Sequence, residues 1–134
     1  MMSDTIQLDI VTPEKKFFSD KSVLSVTVPG IEGDMGILQN HIPIITFLRP
    51  GTIQVHSQNK ETSFFIADGV LEFSNNIVTI LASEIYDLAT IDSKMIDYLK
   101  NKVKEKNQKE NQTDNELFLA SKFEEEVNSL SPAR

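Results

Sequence analysis

The chain contains no cysteine and no tryptophan among its 134 residues. Without cysteine, disulfides, thiolate zinc sites and cysteine nucleophiles are excluded. No apolar run approaches the roughly 18 to 20 residues that span a bilayer as a helix. The formal net charge is −7 at pH 7, so the chain lacks the excess of Lys and Arg that binds nucleic acid or anionic lipid. We therefore expect no nucleic-acid partner, and membrane association only through other proteins.

The first residues also lack targeting features. The stretch 1–4 has neither the basic and apolar segments of a secretory signal nor the Arg-rich character of an organelle transit peptide. We expect the chain to stay where it is made. A bacterial or plastid-encoded origin is favoured over a mitochondrial one.

Glycine is absent after Gly69, and the only proline beyond that point is Pro132. Residues 1–88 hold short β-type runs separated by turn signals, beginning with an alternating run over residues 6–12. Asn75 and Asn76 suit a two-residue hairpin turn, because Asn tolerates positive φ. Short strands at this spacing predict an antiparallel sandwich or barrel.

Residues 89–134 show a helical pattern instead. Asp92 can cap a first helix, with Ile91 and Ile96 as a hydrophobic staple. Thr113 and Glu116 form a capping box that begins a second helix. In the first helix an apolar stripe recurs every four residues, comprising Ile91, Met95, Leu99 and Val103. The stripe of the second helix comprises Leu119, Phe123, Val127 and Leu130, with Ala120 beside them. We predict an α+β fold, with an antiparallel two-helix hairpin after the sandwich.

Patterns associated with catalysis are weak. The spacing Gly30-x-x-Gly33-x-x-Gly36 invites a phosphate-loop interpretation, but no helix pattern and no Gly-Lys-Ser/Thr follows it. A structural loop that needs positive φ is the alternative. His56 falls in a predicted strand, where a solvent-facing histidine or one with its hydrogen bonds satisfied is expected, and His41 is either a turn histidine or an interface residue. We expect no metal, no cofactor and no catalysis by this chain alone.

The most distinctive stretch, residues 28–51, reads VPGIEGDMGILQNHIPIITFLRPG. Its three-glycine loop, His-x-Pro, Ile-Ile-Thr and Pro-Gly turn, in that order, resemble the signature of the epsilon subunit of F-type ATP synthases, called delta in mitochondria. The opening LDIVTPE, at residues 8–14, and FIADGVLE, at residues 65–72, match two further motifs of that family. Asp68 stands where Gly is commoner. The run 77–82 completes the domain, so the resemblance covers about eighty residues.

The resemblance implies a ten-stranded sandwich at residues 1–88, binding the gamma subunit and the ring of membrane c subunits, and a hairpin at 89–134. By motif position, Glu32 and Asp34 would meet basic residues on the polar loops of the c ring. Thr12, His41 and Thr46 would lie toward gamma. A solvated acidic turn is the alternative for Glu32 and Asp34.

The hairpin departs from the family pattern. Some bacterial members bind ATP through Ile/Leu-Asp-x-x-Arg-Ala at the start of the first helix, where this chain has Met95 and Ile96 in place of Arg and Ala. A thioether cannot replace a guanidinium as a multi-donor cation for phosphate. We therefore expect no ATP site, and Asp92 is explained by capping.

The resemblance thus implies a non-catalytic central-stalk subunit of the proton-translocating ATP synthase. It would couple c-ring rotation to the F1 head and touch the alpha/beta head transiently. Residues 116–130 hold one cation, Lys122, against four glutamates, so we expect the chain to inhibit hydrolysis weakly at most. It would sit on the cytoplasmic face of the bacterial inner membrane as a peripheral protein. The alternatives are a free-standing regulatory adaptor and a small-ligand-binding sandwich, for which no convergent polar residues are visible.

Overall fold

The structure is a computed structural model that describes residues 4–133. Within that range nine strands precede two helices. The elements are β1 (Ile6–Val11), β2 (Lys16–Gly30), β3 (Gly33–Leu38), β4 (Ile44–Leu48), β5 (Gly51–Ser57), β6 (Glu61–Ile66), β7 (Gly69–Ser74), β8 (Ile77–Leu81), β9 (Ile85–Asp87), α1 (Ser93–Gln108) and α2 (Asp114–Asn128). Neither helix is long and apolar enough to cross a bilayer.

Strand β2 connects the two layers of the sandwich. The hydrogen-bonded order is β1-β8-β7-β4-β2-β5-β6-β9, with β3 on β2 and an additional β1–β2 pairing. The first half of β2 pairs with β1, and its second half pairs with β3 and β5. Counting the two halves of β2 separately gives the ten strands predicted. One pairing departs from the antiparallel prediction, because β1 runs parallel to β8.

The sandwich core lies between the layers and follows the alternation seen in the sequence. Ile6, Leu8 and Ile10 of β1 are each at most 1% exposed. Burying a side chain of this size contributes about 1.5–3 kcal/mol. Asn75 and Asn76 have φ of 51° and 60°, which confirms the predicted hairpin turn between β7 and β8.

The predicted caps begin both helices. Asp92 Oδ1 accepts a hydrogen bond from the Met95 amide at 2.9 Å. At α2, the Thr113 hydroxyl accepts from the Glu116 amide at 3.1 Å, and the Glu116 carboxylate accepts from the Thr113 amide at 3.4 Å. Both caps satisfy amide donors that the first turn of a helix leaves unpaired.

The predicted stripes are wrong at Met95 and Leu119, which are 40% and 36% exposed. Ile96 and Ala120 are buried instead. A helix turns about 100° per residue, so residues spaced strictly by four drift around the helix. Met95 therefore lies on the far side of Leu99 from Ile96, and Leu119 departs from the α2 stripe in the same way.

The hairpin packs against the outer side of β6 and β9. Phe64 of β6 lies in the sandwich core, whereas its neighbour Phe65 lies in a second apolar cluster with the helices. The Phe65 ring stacks on Phe123 of α2 at a centroid distance of 6.3 Å. Strand β6 is thus buried on both faces, which explains its uninterrupted apolar run Phe64, Phe65 and Ile66.

A polar cluster joins α1 to the segment before β9. The Glu84 carboxylate accepts hydrogen bonds from Lys102 Nζ at 2.5 Å, the Tyr86 hydroxyl at 3.0 Å and the Tyr98 hydroxyl at 3.1 Å. Burial raises the pKa of Glu84, but these three hydrogen bonds outweigh burial and leave that pKa below its usual value. The Lys102 pKa is raised, mainly by its hydrogen bond to Glu84. The pair therefore stays ionised at neutral pH.

We expect Phe123→Ala to release the hairpin while leaving the sandwich folded. Removing a buried Phe side chain costs about 3–5 kcal/mol, and Phe123 packs against the second cluster alone. Hydrogen exchange should accelerate in α1 and α2 and stay slow in β1 and β8. Phe118→Ala, at a side chain 41% exposed, is the matched control. Cooperative loss of protection in helices and strands together would contradict this division.

Candidate partner-binding site

The predicted acidic site lies on the turn between β2 and β3. Glu32 and Asp34 flank Gly33, and all three residues are exposed. Gly33 has φ of +145°, and a Cβ at Gly30 would lie 2.6 Å from the Gly33 carbonyl oxygen. Strand β3 follows at once, so no helix N-terminus receives a phosphate here. The glycine spacing therefore serves the turn, as the structural-loop interpretation expected.

The two carboxylates of this turn differ in their surroundings. Asp34 Oδ1 accepts a hydrogen bond from Arg49 Nη2 at 2.8 Å, and its side chain is 67% exposed. Within residues 4–133, Glu32 makes no ion pair. Glu32 thus offers an unneutralised carboxylate to a partner, and Asp34 offers a carboxylate already shared with Arg49.

Thr46 lies beside the acidic turn. It pairs with Leu71 across β4 and β7, and it lines a shallow depression together with Glu32, Asp34 and Met35. The structure therefore brings Thr46, predicted to lie toward gamma, next to the residues predicted to meet the c ring.

His41 and Thr12 lie at opposite ends of the β1-β8-β7-β4 layer. The His41 ring meets Phe73 edge-on at 5.9 Å, near the β7–β8 turn, where the Asn40 amide donates to Asn76 Oδ1 at 2.8 Å. Thr12 follows the other end of β1, and its hydroxyl donates to the Lys15 carbonyl at 3.2 Å. These two predicted residues are therefore not in contact.

A row of exposed apolar side chains lies across this layer, at the end where Thr12 is found. Phe47, Val70, Leu81 and Val11 are cross-strand neighbours on β4, β7, β8 and β1, and we call this set the apolar row. Phe47 is 69% exposed and Leu81 is 51% exposed, and Ile45, next to the row, is 73% exposed. We did not assign these residues from the sequence. The signal was present, because β4 reads IITFL and β8 reads IVTIL without the polar alternation of a half-solvated strand.

The outer side of the other layer is different. The helices cover it at Phe65, and farther along it is polar, with Thr27, Gln54 and Ser63 as cross-strand neighbours. His56 is exposed there and pairs with Glu61 at 2.8 Å, which confirms the solvent-facing interpretation. The hairpin therefore lies on one layer, and the apolar row lies on the layer that it does not cover.

The start of α1 has no cation at the positions that the ATP motif requires. Met95 is exposed, and Ile96 is 4% exposed within the second apolar cluster. Within residues 4–133, no group of three or more His, Asp or Glu side chains could hold a metal ion.

Comparison with known sequences identifies the family. Residues 5–87 match the family model of the ATP synthase delta/epsilon chain, beta-sandwich domain. The ATP synthase epsilon chain of Pelagibacter ubique is 40% identical over 118 residues, which are 88% of this chain and 91% of the relative. That of Maricaulis maris is 42% identical over 95 residues, 71% of each chain.

Solved structures share the fold. A chain in the cryo-EM structure of the Euglena gracilis mitochondrial ATP synthase, OSCP/F1/c-ring, superposes with a TM-score of 0.68 at 20% identity, covering 97% of this chain and 78% of that one. A chain of the Tetrahymena thermophila mitochondrial ATP synthase central stalk/c-ring gives 0.61 at 13% identity, covering 96% and 97%. At these identities the likeness shows the fold alone.

The family model matches the sandwich domain, and the relatives match most of the chain. The chain is therefore a component of a rotary ATP synthase. The chain belongs to the delta/epsilon family of ATP synthase chains. This membership confirms the predicted resemblance. It also confirms the prediction that the chain is a non-catalytic subunit of that complex.

We expect the isolated chain to bind ATP weakly or not at all. Met95 and Ile96 supply no charge for phosphate, and the Asp92 carboxylate is engaged by the Met95 amide. Calorimetric titration should give no micromolar affinity. Micromolar binding that is lost in Asp92→Ala would overturn the expectation.

Proposed function

We propose that this chain is a central-stalk subunit that couples c-ring rotation to the F1 head during ATP synthesis. The bacterial epsilon-chain relatives support this role, as does the fold shared with a chain of a central stalk/c-ring structure. In this proposal residues 1–88 bind gamma and the c ring, and residues 89–134 form a separate regulatory hairpin. The chain associates with the cytoplasmic face of the bacterial inner membrane through the complex only.

The observation that carries the proposal is the apolar row. Large apolar side chains that lie together on a surface mark protein interfaces, and Phe47 and Leu81 are more than half exposed. Thr12 and His41 lie at the two ends of the same layer. We assign this face to gamma, because a subunit that transmits torque needs an interface whose burial keeps two partners in register.

Phe47→Asp should abolish stable gamma binding. A carboxylate in the middle of an apolar interface is desolvated without a partner, which costs several kcal/mol, equivalent to at least about a hundredfold loss of affinity. Biolayer interferometry with purified gamma measures the affinity, and circular dichroism checks folding. Gln54→Asp, on the exposed face of the other layer, is the matched control. Equal affinity of Phe47→Asp and wild type would exclude this face as the gamma site.

The acidic turn is assigned to the c ring. Glu32 projects from a tight turn with no ion pair in the described residues, and Asp34 lies two residues away on the same turn. Carboxylates placed this way suit basic residues on polar loops, and such exposed pairs weaken as salt rises.

Charge reversal at this turn should detach F1 from the membrane. Glu32→Lys combined with Asp34→Lys places like charges against the basic loops, so washed membranes should lose ATPase, most strongly at low ionic strength, where the repulsion is least screened. Glu32→Lys alone leaves the Arg49 contact of Asp34 intact and should show part of the effect. Glu105→Lys with Glu110→Lys is a control of equal charge change on the hairpin. Wild-type ATPase and proton pumping in the double variant would refute the assignment.

The hairpin is proposed to inhibit ATP hydrolysis weakly at most. Residues 116–130 hold one cation, Lys122, against four glutamates. Inserting unpaired carboxylates into a crowded catalytic head costs desolvation. Lys109 pairs with Glu116 at 3.0 Å and Asn107 donates to Glu124 at 3.0 Å, so contacts from the end of α1 favour the closed hairpin.

Truncation after Ala89 tests the inhibitory role in the assembled enzyme. We expect ATPase without added activator to change by less than about twofold, since α2 carries no cationic face for the head. Full-length enzyme purified in parallel is the reference. A several-fold rise in hydrolysis after truncation would show that the hairpin is a strong inhibitor.

A further inference from the structure

Arg49 lies between the acidic turn and the second helix. Its Nη2 donates to Asp34 Oδ1 at 2.8 Å, and its Nη1 lies 3.5 Å from Glu126 Oε1 of α2. The Arg49 side chain is 14% exposed, compared with 67% for Asp34 and 30% for Glu126. A single guanidinium thus faces carboxylates from two separate parts of the fold.

The backbone holds the guanidinium in place independently of both acids. Arg49 Nη1 donates to the Pro50 carbonyl at 3.0 Å. A Cβ on Gly51 would lie 3.1 Å from the same nitrogen, so the guanidinium packs directly on the chain at the start of β5. Within residues 4–133, Asp34 and Glu126 pair with no cation other than Arg49.

We propose that Asp34 and Glu126 compete for Arg49, so that engagement of the acidic turn and docking of α2 are coupled through this one side chain. Two carboxylates that share a cation each weaken the attraction felt by the other. When a partner's cation neutralises Asp34, Arg49 attracts Glu126 more strongly and α2 is held on the sandwich. Linkage is reciprocal, so release of α2 strengthens the Arg49–Asp34 pair and weakens the partner's hold on Asp34.

The partner in this inference rests on the proposed function, whereas the competition within the chain does not. The test therefore uses the full chain alone. Local opening of α2 is read from hydrogen exchange of the amides at Phe123 and Val127, in wild type, Asp34→Asn, Glu126→Gln and the double variant. Asp34→Asn imitates neutralisation of the turn.

Asp34→Asn should slow exchange in α2 by about two- to fivefold, the range expected for a partly exposed ion pair. In the Glu126→Gln background the same change should have no effect. Glu32→Gln, on the same turn without an ion pair, should leave exchange unchanged, and 1 M NaCl should reduce the effect of Asp34→Asn.

Two results would overturn the inference. The first is equal slowing of exchange by Asp34→Asn with and without the Glu126 carboxylate, because the effect would then not act through the Arg49–Glu126 contact. Faster exchange in Asp34→Asn would mean that Asp34 supports the Arg49–Glu126 contact and does not compete with it. Neither result tests the c-ring assignment, because the experiment uses the chain without any partner. Conversely, membrane attachment that is unaffected by the charge reversal refutes the c-ring assignment without affecting this competition.

Discussion

Strand β6 buries aromatic side chains on both of its faces, and the arrangement of the molecule depends on this. Phe64 closes the sandwich core, and Phe65 forms the floor on which Phe123 of α2 rests. The hairpin is thereby fixed to the layer that contains β5, β6 and β9. The opposite layer carries the exposed apolar row, the surface that we propose binds gamma.

The two apolar clusters differ in what holds them. The sandwich core is enclosed by the two layers of strands, whereas the helix cluster is closed by side chains of α1, α2 and the outer side of β6 and β9. The Glu84–Lys102 pair adds a polar tie to α1. Because the folded-state pKa of Glu84 lies below its unfolded value, the tie contributes stability above the unfolded pKa and loses it as pH falls through the folded pKa. Acid therefore weakens hairpin docking as Glu84 becomes protonated.

Local signals in the sequence predicted the turns and caps well. Each of these features depends on residues at most four positions apart, so a short stretch of sequence is enough to predict it. They are the Asn75–Asn76 turn, the Asp92 cap and the Thr113–Glu116 capping box. The prediction that Met95 belongs to the buried stripe was wrong, because strict spacing by four residues drifts around a helix of 3.6 residues per turn. Two features depend on tertiary packing between residues far apart in the sequence, so local patterns could not predict them. They are the parallel pairing of β1 with β8 and the position of Arg49 between Asp34 and Glu126.

Motif position and geometry gave complementary views of the site. The family motif indicated Thr12, His41 and Thr46, but the structure separates Thr12 from His41 and places Thr46 beside the acidic turn. The apolar row lies on the same layer, at its Thr12 end. Its signal was a pair of strands, β4 and β8, that each hold a single Thr among apolar residues, and only the location of the helices distinguishes a buried face from an exposed one.

Hydroxyl-radical footprinting of Phe47 tests most directly whether the uncovered layer is the partner face. The free chain and the assembled ATP synthase are oxidised in parallel, with Tyr98, 47% exposed on α1, as the internal reference. The account predicts that Phe47 is oxidised in the free chain and protected in the complex, while Tyr98 is oxidised in both. Equal oxidation of Phe47 in the two samples would contradict it.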